Sequence, residues 1–307
     1  MSTMRLTFLG TGGGIPSVTR GLPSIALNFL GELILFDCGE STQRQMMKAG
    51  VGFKRKFKIF LTHLHGDHVL GLPGLLYTLS MLDRRDPILI IGPPGTREYV
   101  KMFEATRYGR VSFQIYVREV SGEGVVDEGR NYVVEALRVD HTVESYAYRF
   151  REKERVGKMN VEYLESIGLP RGPLWGKLQR GESVEWMGKV IRPEDAVGPP
   201  RPGRIIVYTG DTAPNDRIAE FAKDADVLIH DSTFDSSYEK EALEQGHSTA
   251  RQAALIARKA GVKRLYLFHL SPRFEKNPRK LLEEALEIFP ESYLAEDLLS
   301  YEVPYKV

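Results

Sequence analysis

The stretch Thr62-His63-Leu64-His65-Gly66-Asp67-His68 directly follows the apolar run Ile59-Phe60-Leu61. Three imidazoles and one carboxylate are crowded together where a buried strand is expected to stop. Neutral imidazole and carboxylate oxygen are ligands suited to zinc, manganese or iron. An apolar core has no use for four polar groups side by side. The grouping therefore predicts a metal site, against the alternative of a polar loop that is histidine-rich by chance. Gly66 offers the backbone freedom for a sharp bend, which would let His63/His65 and Asp67/His68 face different ions.

Working outward, similar apolar runs recur, each ending in Gly, Asp or His: Leu6 to Leu9, Leu33 to Phe36, Ile88 to Ile91, Tyr132 to Val139, Ile205 to Tyr208, Val227 to Ile229 and Leu265 to Phe268. Continuous runs of this length predict strands covered on both faces. Helical patterns alternate with them over Ser41–Ala49, Val69–Leu82, Thr96–Thr106, Ser248–Ala260 and Pro278–Ile288. Ser248 is the expected N-cap of its helix and Gly261 the expected C-terminal stop. Strands alternating with helices predict a layered α/β architecture with helices outside.

In open α/β sheets, ligand sites lie beyond strand ends. His141, Asp211 and His269 each follow a strand-like run, as the His63–His68 cluster does. One strand-end loop cannot close two metal shells, so these three are read as further ligands. Asp211, in Thr209-Gly210-Asp211-Thr212, is the natural carboxylate to bridge two cations; the alternative is an Asx-type helix cap ahead of Pro214. Two metals roughly 3.5–4 Å apart activate water near neutral pH and stabilise in-line displacement at phosphorus. Asp67 can both bind a metal and accept the proton of that water. Asp37 and Asp231 also follow strands and either orient metal-binding histidines or cap turns. His230 is left without a role.

With 307 residues and a net charge of +1, global charge does not drive nucleic-acid binding, so any such binding rests on a local patch. The single Cys38 excludes an intrachain disulfide and fits a reducing compartment. No run approaches eighteen apolar residues, so no membrane span is expected, and the N-terminus lacks an apolar leader segment. These features predict a cytoplasmic protein.

The motif His-X-His-X-Asp-His, met by His63, His65, Asp67 and His68, resembles that of the metallo-β-lactamase superfamily, and within it the chain is most similar to the short-form tRNase Z family. The resemblance spans essentially the whole chain, taking in Gly10–Ser17, Phe36–Glu40, Tyr208–Thr212, Gly246–Thr249 and His269–Arg273. It implies a single domain over 1–307 with the αβ/βα sandwich fold, two mixed sheets flanked by helices. It implies two Zn2+ ions per subunit, with Mn2+ or Fe2+ as substitutes. His63, His65 and His141 would hold one and Asp67, His68 and His269 the other, with Asp211 bridging and Asp67 the catalytic proton acceptor. The implied activity is endoribonucleolytic removal of the 3′ trailer from precursor tRNA, a metal-activated hydroxide attacking phosphorus after the discriminator nucleotide. The products would be a tRNA 3′-hydroxyl and a trailer 5′-phosphate. The alternative on the same fold is a small-molecule phosphodiesterase or thioesterase. A homodimer is implied as well.

The choice of RNA rests on residues 151–203, a segment with eight glycines, six prolines and no long periodic face, read as an inserted flexible arm. Gly168 to Glu182 resembles the family's Gly-Pro exosite, which grips the tRNA elbow, and Gly172, Pro173, Lys177 and Arg180 are its candidate contacts. Trp175 would pack against sugar or against the arm itself. Basic residues exceed acidic ones over 151–204 only by eleven to eight, so the charge signal is weak. Folded RNA is read largely by shape, phosphate and 2′-hydroxyl contacts. The Lys54–Lys58 run is either a further phosphate contact or a solvated strand start. Arg273 is a candidate RNA contact beside His269, or a surface ion pair. By the resemblance, His247 lies near the scissile phosphate and donates or orients a proton for the departing oxygen; the alternative is a helix-capping imidazole. The Gly10–Gly14 loop resembles a dinucleotide fingerprint, but Pro16 and Ser17 stand where a helix should begin. It is read as a tight loop beside the metals.

Overall fold

The structure, a computed structural model, describes residues 4–53, 56–105 and 110–305. Sixteen strands occur among them. They are β1 (Met4–Gly10), β2 (Ser24–Phe29), β3 (Glu32–Phe36), β4 (Lys56–Phe60), β5 (Ile88–Gly92), β6 (Ile115–Glu119), β7 (Gly124–Glu128), β8 (Tyr132–Val139) and β9 (Ser145–Glu152). These are followed by β10 (Val184–Trp186), β11 (Lys189–Ile191), β12 (Ile205–Tyr208), β13 (Val227–Asp231), β14 (Leu265–Phe268), β15 (Ser292–Leu294) and β16 (Ser300–Glu302). Two compact units are present, one of Met1–Phe150 with Ile205–Pro304 and one of Arg151–Arg204 with Tyr305–Val307.

The first unit holds two seven-stranded sheets, in the orders β16-β1-β2-β3-β4-β5-β6 and β15-β14-β13-β12-β9-β8-β7. Both are mixed: β1, β2 and β3 pair antiparallel while β3 to β6 pair parallel. In the second sheet β12 to β15 are parallel and β7–β8 antiparallel. Period-2 alternation divides each central strand between two apolar layers. Ile34 and Phe36 of β3, Tyr208 of β12, Ile229 of β13 and Phe268 of β14 share one aromatic-rich cluster between the sheets. Their neighbours Leu33 and Leu35 face one helix-covered layer, and Val207, Leu228 and Leu267 face the other. Every residue of β13 and β14 is buried, which is why Val227 to Ile229 and Leu265 to Phe268 read as unbroken apolar runs.

The helix Ala250–Ala260 starts one residue later than expected. Thr249, not Ser248, is its N-cap, forming a capping box with Gln252, and the Ser248 hydroxyl donates instead to Thr212 O at 2.7 Å. Gly261 ends it in the left-handed conformation. The expected helix Val69–Leu82 is two, Gly66–Val69 and Gly71–Met81. Gly66 makes no left-handed bend; it is the first residue of a one-turn helix capped by His65. His65 and the pair Asp67/His68 diverge because one precedes the helix and the others lie on it. Thr106, the expected end of the Thr96 helix, lies outside the described residues, and the helix itself is Thr96–Glu104. Among the described residues no helix is long and apolar enough to cross a membrane.

The second unit has more order than its sequence suggests. Short helices at Val161–Ser166, Pro173–Gln179 and Pro193–Ala196 and the β10–β11 hairpin surround a small core. Leu164, Leu169, Leu178, Val184, Ile191 and Ala196 are its buried members. Helices of four to seven residues are too short to display a repeating apolar face.

Candidate metal centre

Parallel register carries the strand ends to one edge of the sandwich. Phe36 stands opposite Phe60, so Asp37 and Thr62 meet just beyond them. Asp37 N donates to Phe60 O at 2.8 Å and Thr62 N to Asp37 Oδ1 at 2.7 Å. Tyr208 stands opposite Ile229 and Asp231 opposite Phe268, which brings Asp211 and His269 alongside.

There the side chains form three overlapping groups, His63/His65/His141, Asp67/His68/Asp211/His269 and Asp211/Asp231/His247/His269, with the ligand atoms of each group within 4.8 Å of one another. Asp211 Oδ2 lies between the first two, 3.6 Å from His63 Nε2, 3.2 Å from His68 Nε2 and 3.2 Å from His269 Nε2. Asp67 Oδ2 is 3.2 Å from His269 Nε2, and His141 Nε2 is 3.2 Å from His65 Nδ1. The Asx-cap alternative for Asp211 fails, because Asn215 caps the following helix.

The arrangement fits divalent cations on its own geometry. His63 Nε2, His68 Nε2 and Asp211 Oδ1 are buried with no hydrogen-bond partner, and such atoms are costly unless something satisfies them. They converge on one place, and their imidazole and carboxylate chemistry suits a borderline or hard cation.

The opposite ring nitrogens are held by neighbours that sequence reading did not single out, apart from Asp37. His68 Nδ1 contacts Asp37 Oδ2 at 2.8 Å, and Tyr208 donates its hydroxyl to the same oxygen at 2.8 Å. His63 Nδ1 lies 3.0 Å from Thr62 Oγ1 and His269 Nδ1 2.9 Å from Thr233 Oγ1. His141 Nδ1–H donates to Gly246 O at 2.8 Å. Such partners fix the tautomer and aim of a ligand ring. A hydroxyl residue beside a ligand, as at Thr62, is the one signal visible beforehand. Asp37 and His269 both hold left-handed backbone, φ 56° and 61°, a strain of order 1–3 kcal/mol that clusters at functional sites.

Electrostatics splits adjacent rings. Burial and the neighbouring His68 hold His63 well below the ordinary imidazole range. Burial also opposes charge on His68, but Asp211 and Asp37 on either side push it well above that range. Burial works against ionisation of Asp67 and Asp211 too, and the surrounding imidazoles nevertheless keep both carboxyls below their usual range.

His247 sits beside this centre, its ring 5.1 Å from that of His269. Its Nδ1 is 2.7 Å from Asp231 Oδ2, and Asp231 also accepts from Thr212 N and from Thr233. Burial acts to lower the His247 imidazole, yet the Asp231 carboxylate raises it to about 9. It does not cap the next helix, whose N-cap is Thr249. Gly13, Gly14, His247, His269 and Arg273 help to line a cavity of about 290 Å³. Gly14 N donates to Asp67 Oδ2 at 2.8 Å. His230 is turned away from the centre, fully buried with Nδ1 2.8 Å from Asp231 O.

Comparison with known proteins agrees with this geometry. A family model described as beta-lactamase superfamily domain matches residues 171–270, and one described as anti-Pycsar protein Apyc1 matches 4–101. Ribonuclease Z of Methanosarcina acetivorans is 45% identical over 303 residues, covering 99% of each chain. The chain belongs to the ribonuclease Z family. Ribonuclease Z of Archaeoglobus fulgidus is similar at 46% identity over 98% of each chain. The solved structure of human tRNase Z, short form, matches with a TM-score of 0.72 at 31% identity, over 98% of this chain and 100% of that one. The fold is thus the metallo-β-lactamase sandwich of two mixed sheets flanked by helices, and this member of the ribonuclease Z family is a hydrolytic endoribonuclease.

In this ribonuclease Z family member, Arg273 pairs with Glu241 at 2.8 Å while lining the cavity beside His269. Lys54 and Arg55 of the basic run lie outside the described residues, and Lys58 pairs with Asp127. In the second unit Gly172 precedes the helix that Pro173 begins, and Lys177 and Arg180 are exposed. Arg180 pairs with Glu182 at 2.9 Å. Trp175 packs within the unit, its Nε1 donating to Leu169 O at 3.3 Å and Arg171 lying over its ring.

Proposed function

We propose that the chain removes the 3′ trailer from precursor tRNA, hydrolysing the phosphodiester after the discriminator nucleotide to leave a tRNA 3′-hydroxyl and a trailer 5′-phosphate. The observation that carries the reading is the convergence of His63, His65, His141, Asp67, His68, Asp211 and His269 in two groups that meet at Asp211 Oδ2. These seven residues would hold two divalent ions, zinc by family expectation. Bound there, such ions supply water activation near neutral pH and charge stabilisation at phosphorus.

Asp67 is the proton acceptor in this reading. Its Oδ2 is anchored by the Gly14 amide, which fixes the carboxylate beside the attacking position. His247, with Nδ1 tied to Asp231, keeps Nε2 to serve the departing 3′ oxygen, a positioned acid of the kind worth about 10²–10⁴ in rate. Arg273 contributes a cation at the cavity rim. The unit 151–204 grips the RNA away from the reaction through Gly172, Pro173, Lys177 and Arg180. A cytoplasmic homodimer completes the reading, and sedimentation measures the dimer.

The deciding assay incubates end-labelled precursor tRNA with the wild type and with Asp67→Ala, sizing products by gel. Cleavage one nucleotide beyond the acceptor stem by the wild type alone is expected. Cleavage by both, or by neither with zinc or manganese supplied, counts against the reading. His247→Ala should lower turnover by at least about 10² while metal content, measured by plasma emission, stays at the wild-type level.

A further inference from the structure

The second unit includes residues from the far end of the chain. Tyr305 belongs to it, only three residues after β16 ends at Glu302. Its ring receives two guanidinium groups, with Arg155 Cζ 3.9 Å and Arg204 Cζ 4.1 Å from the centroid. Both arginines lie at the root of the segment. There Glu152 N donates to Arg204 O at 2.9 Å, and Arg155 and Arg201 pair in both directions at 2.9 and 2.8 Å. The approach is close: a Cβ on Gly203 would lie 1.8 Å from Glu152 O.

Charged groups gather at this root. Arg204 is buried and forked onto Glu152, Nε to Oε2 at 2.7 Å and Nη2 to Oε1 at 3.0 Å. Arg155 brings a second guanidinium against the same ring, and its buried Nε has no hydrogen-bond partner. A tyrosine quadrupole attracts both cations, so one ring holds the outgoing and the returning chain at this root.

We propose that Tyr305 is a positioning residue for the RNA substrate, its ring joining Arg155 and Arg204 so that the unit 151–204 is ordered before RNA arrives. The proposal rests on the reading that this unit grips precursor tRNA. Ordering a binding surface in advance lowers the entropy lost on association. The effect therefore falls on substrate capture and leaves the chemistry at Asp67 untouched.

The test compares the full-length wild type, Tyr305→Ala and Tyr305→Phe on precursor tRNA and on bis(p-nitrophenyl) phosphate, with limited trypsin digestion of each. Tyr305→Ala should raise KM for precursor tRNA about tenfold, the size expected for losing one to two such contacts. Its kcat on either substrate should stay at the wild-type value, and trypsin should cut within 151–204 several times faster. Tyr305→Phe, which keeps the ring, should match the wild type in all three. An unchanged KM with unchanged digestion overturns the proposal, as does an equal fall in both activities. If the wild type does not cleave precursor tRNA, the tRNA reading fails, and the substrate role of Tyr305 fails with it. If the wild type cleaves and Tyr305→Ala behaves identically, only the present proposal fails.

Discussion

Asp37 Oδ2 and His68 Nδ1 lie 2.8 Å apart, with neither side chain reaching solvent. The carboxylate also accepts from the Thr62 amide and the Tyr208 hydroxyl, so it ties one ligand ring to both sheets. Asp37→Ala should weaken metal affinity by about 10–100-fold, the usual cost of losing such a partner, measured by competition with a chromophoric chelator. Tyr208→Phe, which removes only one donor to Asp37, should cost less. Equal affinity in Asp37→Ala and wild type would contradict this account of how His68 is aimed.

The two neighbouring glycines of the first loop should respond differently to alanine. A Cβ on Gly13 would sit 2.2 Å from His269 Cε1, whereas one on Gly14 meets nothing within 4 Å. Gly13→Ala must displace the His269 ring, so it should reduce metal content and turnover while circular dichroism stays native. Gly14→Ala faces only its left-handed φ of 76°, worth roughly 1–2 kcal/mol. It should lower the unfolding midpoint slightly and keep its metal.

Stripping the metals should destabilise the fold itself. His63 Nε2, His68 Nε2 and Asp211 Oδ1 are buried and without hydrogen-bond partners, so a cation held there would favour the native state over the unfolded chain. At about 100 times the dissociation constant the linkage is ~2.7 kcal/mol. Chelation followed by calorimetry should therefore show Tm lower by roughly 4 °C, restored by stoichiometric zinc. An unaltered Tm after verified metal loss would mean that these atoms are satisfied in some other way.

Cys38 offers a reporter of opening. Its thiol is buried and burial pushes its ionisation well above the ordinary range, and the thiolate is the reactive form. A disulfide-exchange reagent at pH 8 should leave the folded protein unlabelled for hours and label one thiol per chain in denaturant. Fast labelling under native conditions would show that the layer around Met46 and Leu72, which shares its cluster, opens locally.

Much of the first unit could be read in advance because the fold buries both faces of its central strands, leaving runs such as Leu265–Phe268 with no polar residue. The site was legible for a related reason: ligands stand at the ends of those runs. What was not legible is what depends on distant partners. β9 carries Tyr146, Tyr148 and Phe150 inward but alternates with Arg149 and Arg151, so it breaks the pattern of continuous apolarity. β2 contains Asn28, and β15 and β16 are three residues each. Asp37 could be read equally as a turn cap, since only the register of Phe36 against Phe60 sets it beside His68. Thr233 gave no hint of its place under His269.

Alternation within β12, β13 and β14 carries a constraint on how this chain can diverge. Each strand ends in or just before a residue of the centre, and each position along it is committed to either the aromatic layer or the helix layer. Adding or deleting one residue inside such a strand would swap its two faces and withdraw the side chain at its tip. Length change is therefore tolerable between strands and ruinous within them, so descendants of this sequence should vary in their connecting segments while the strand lengths stay frozen.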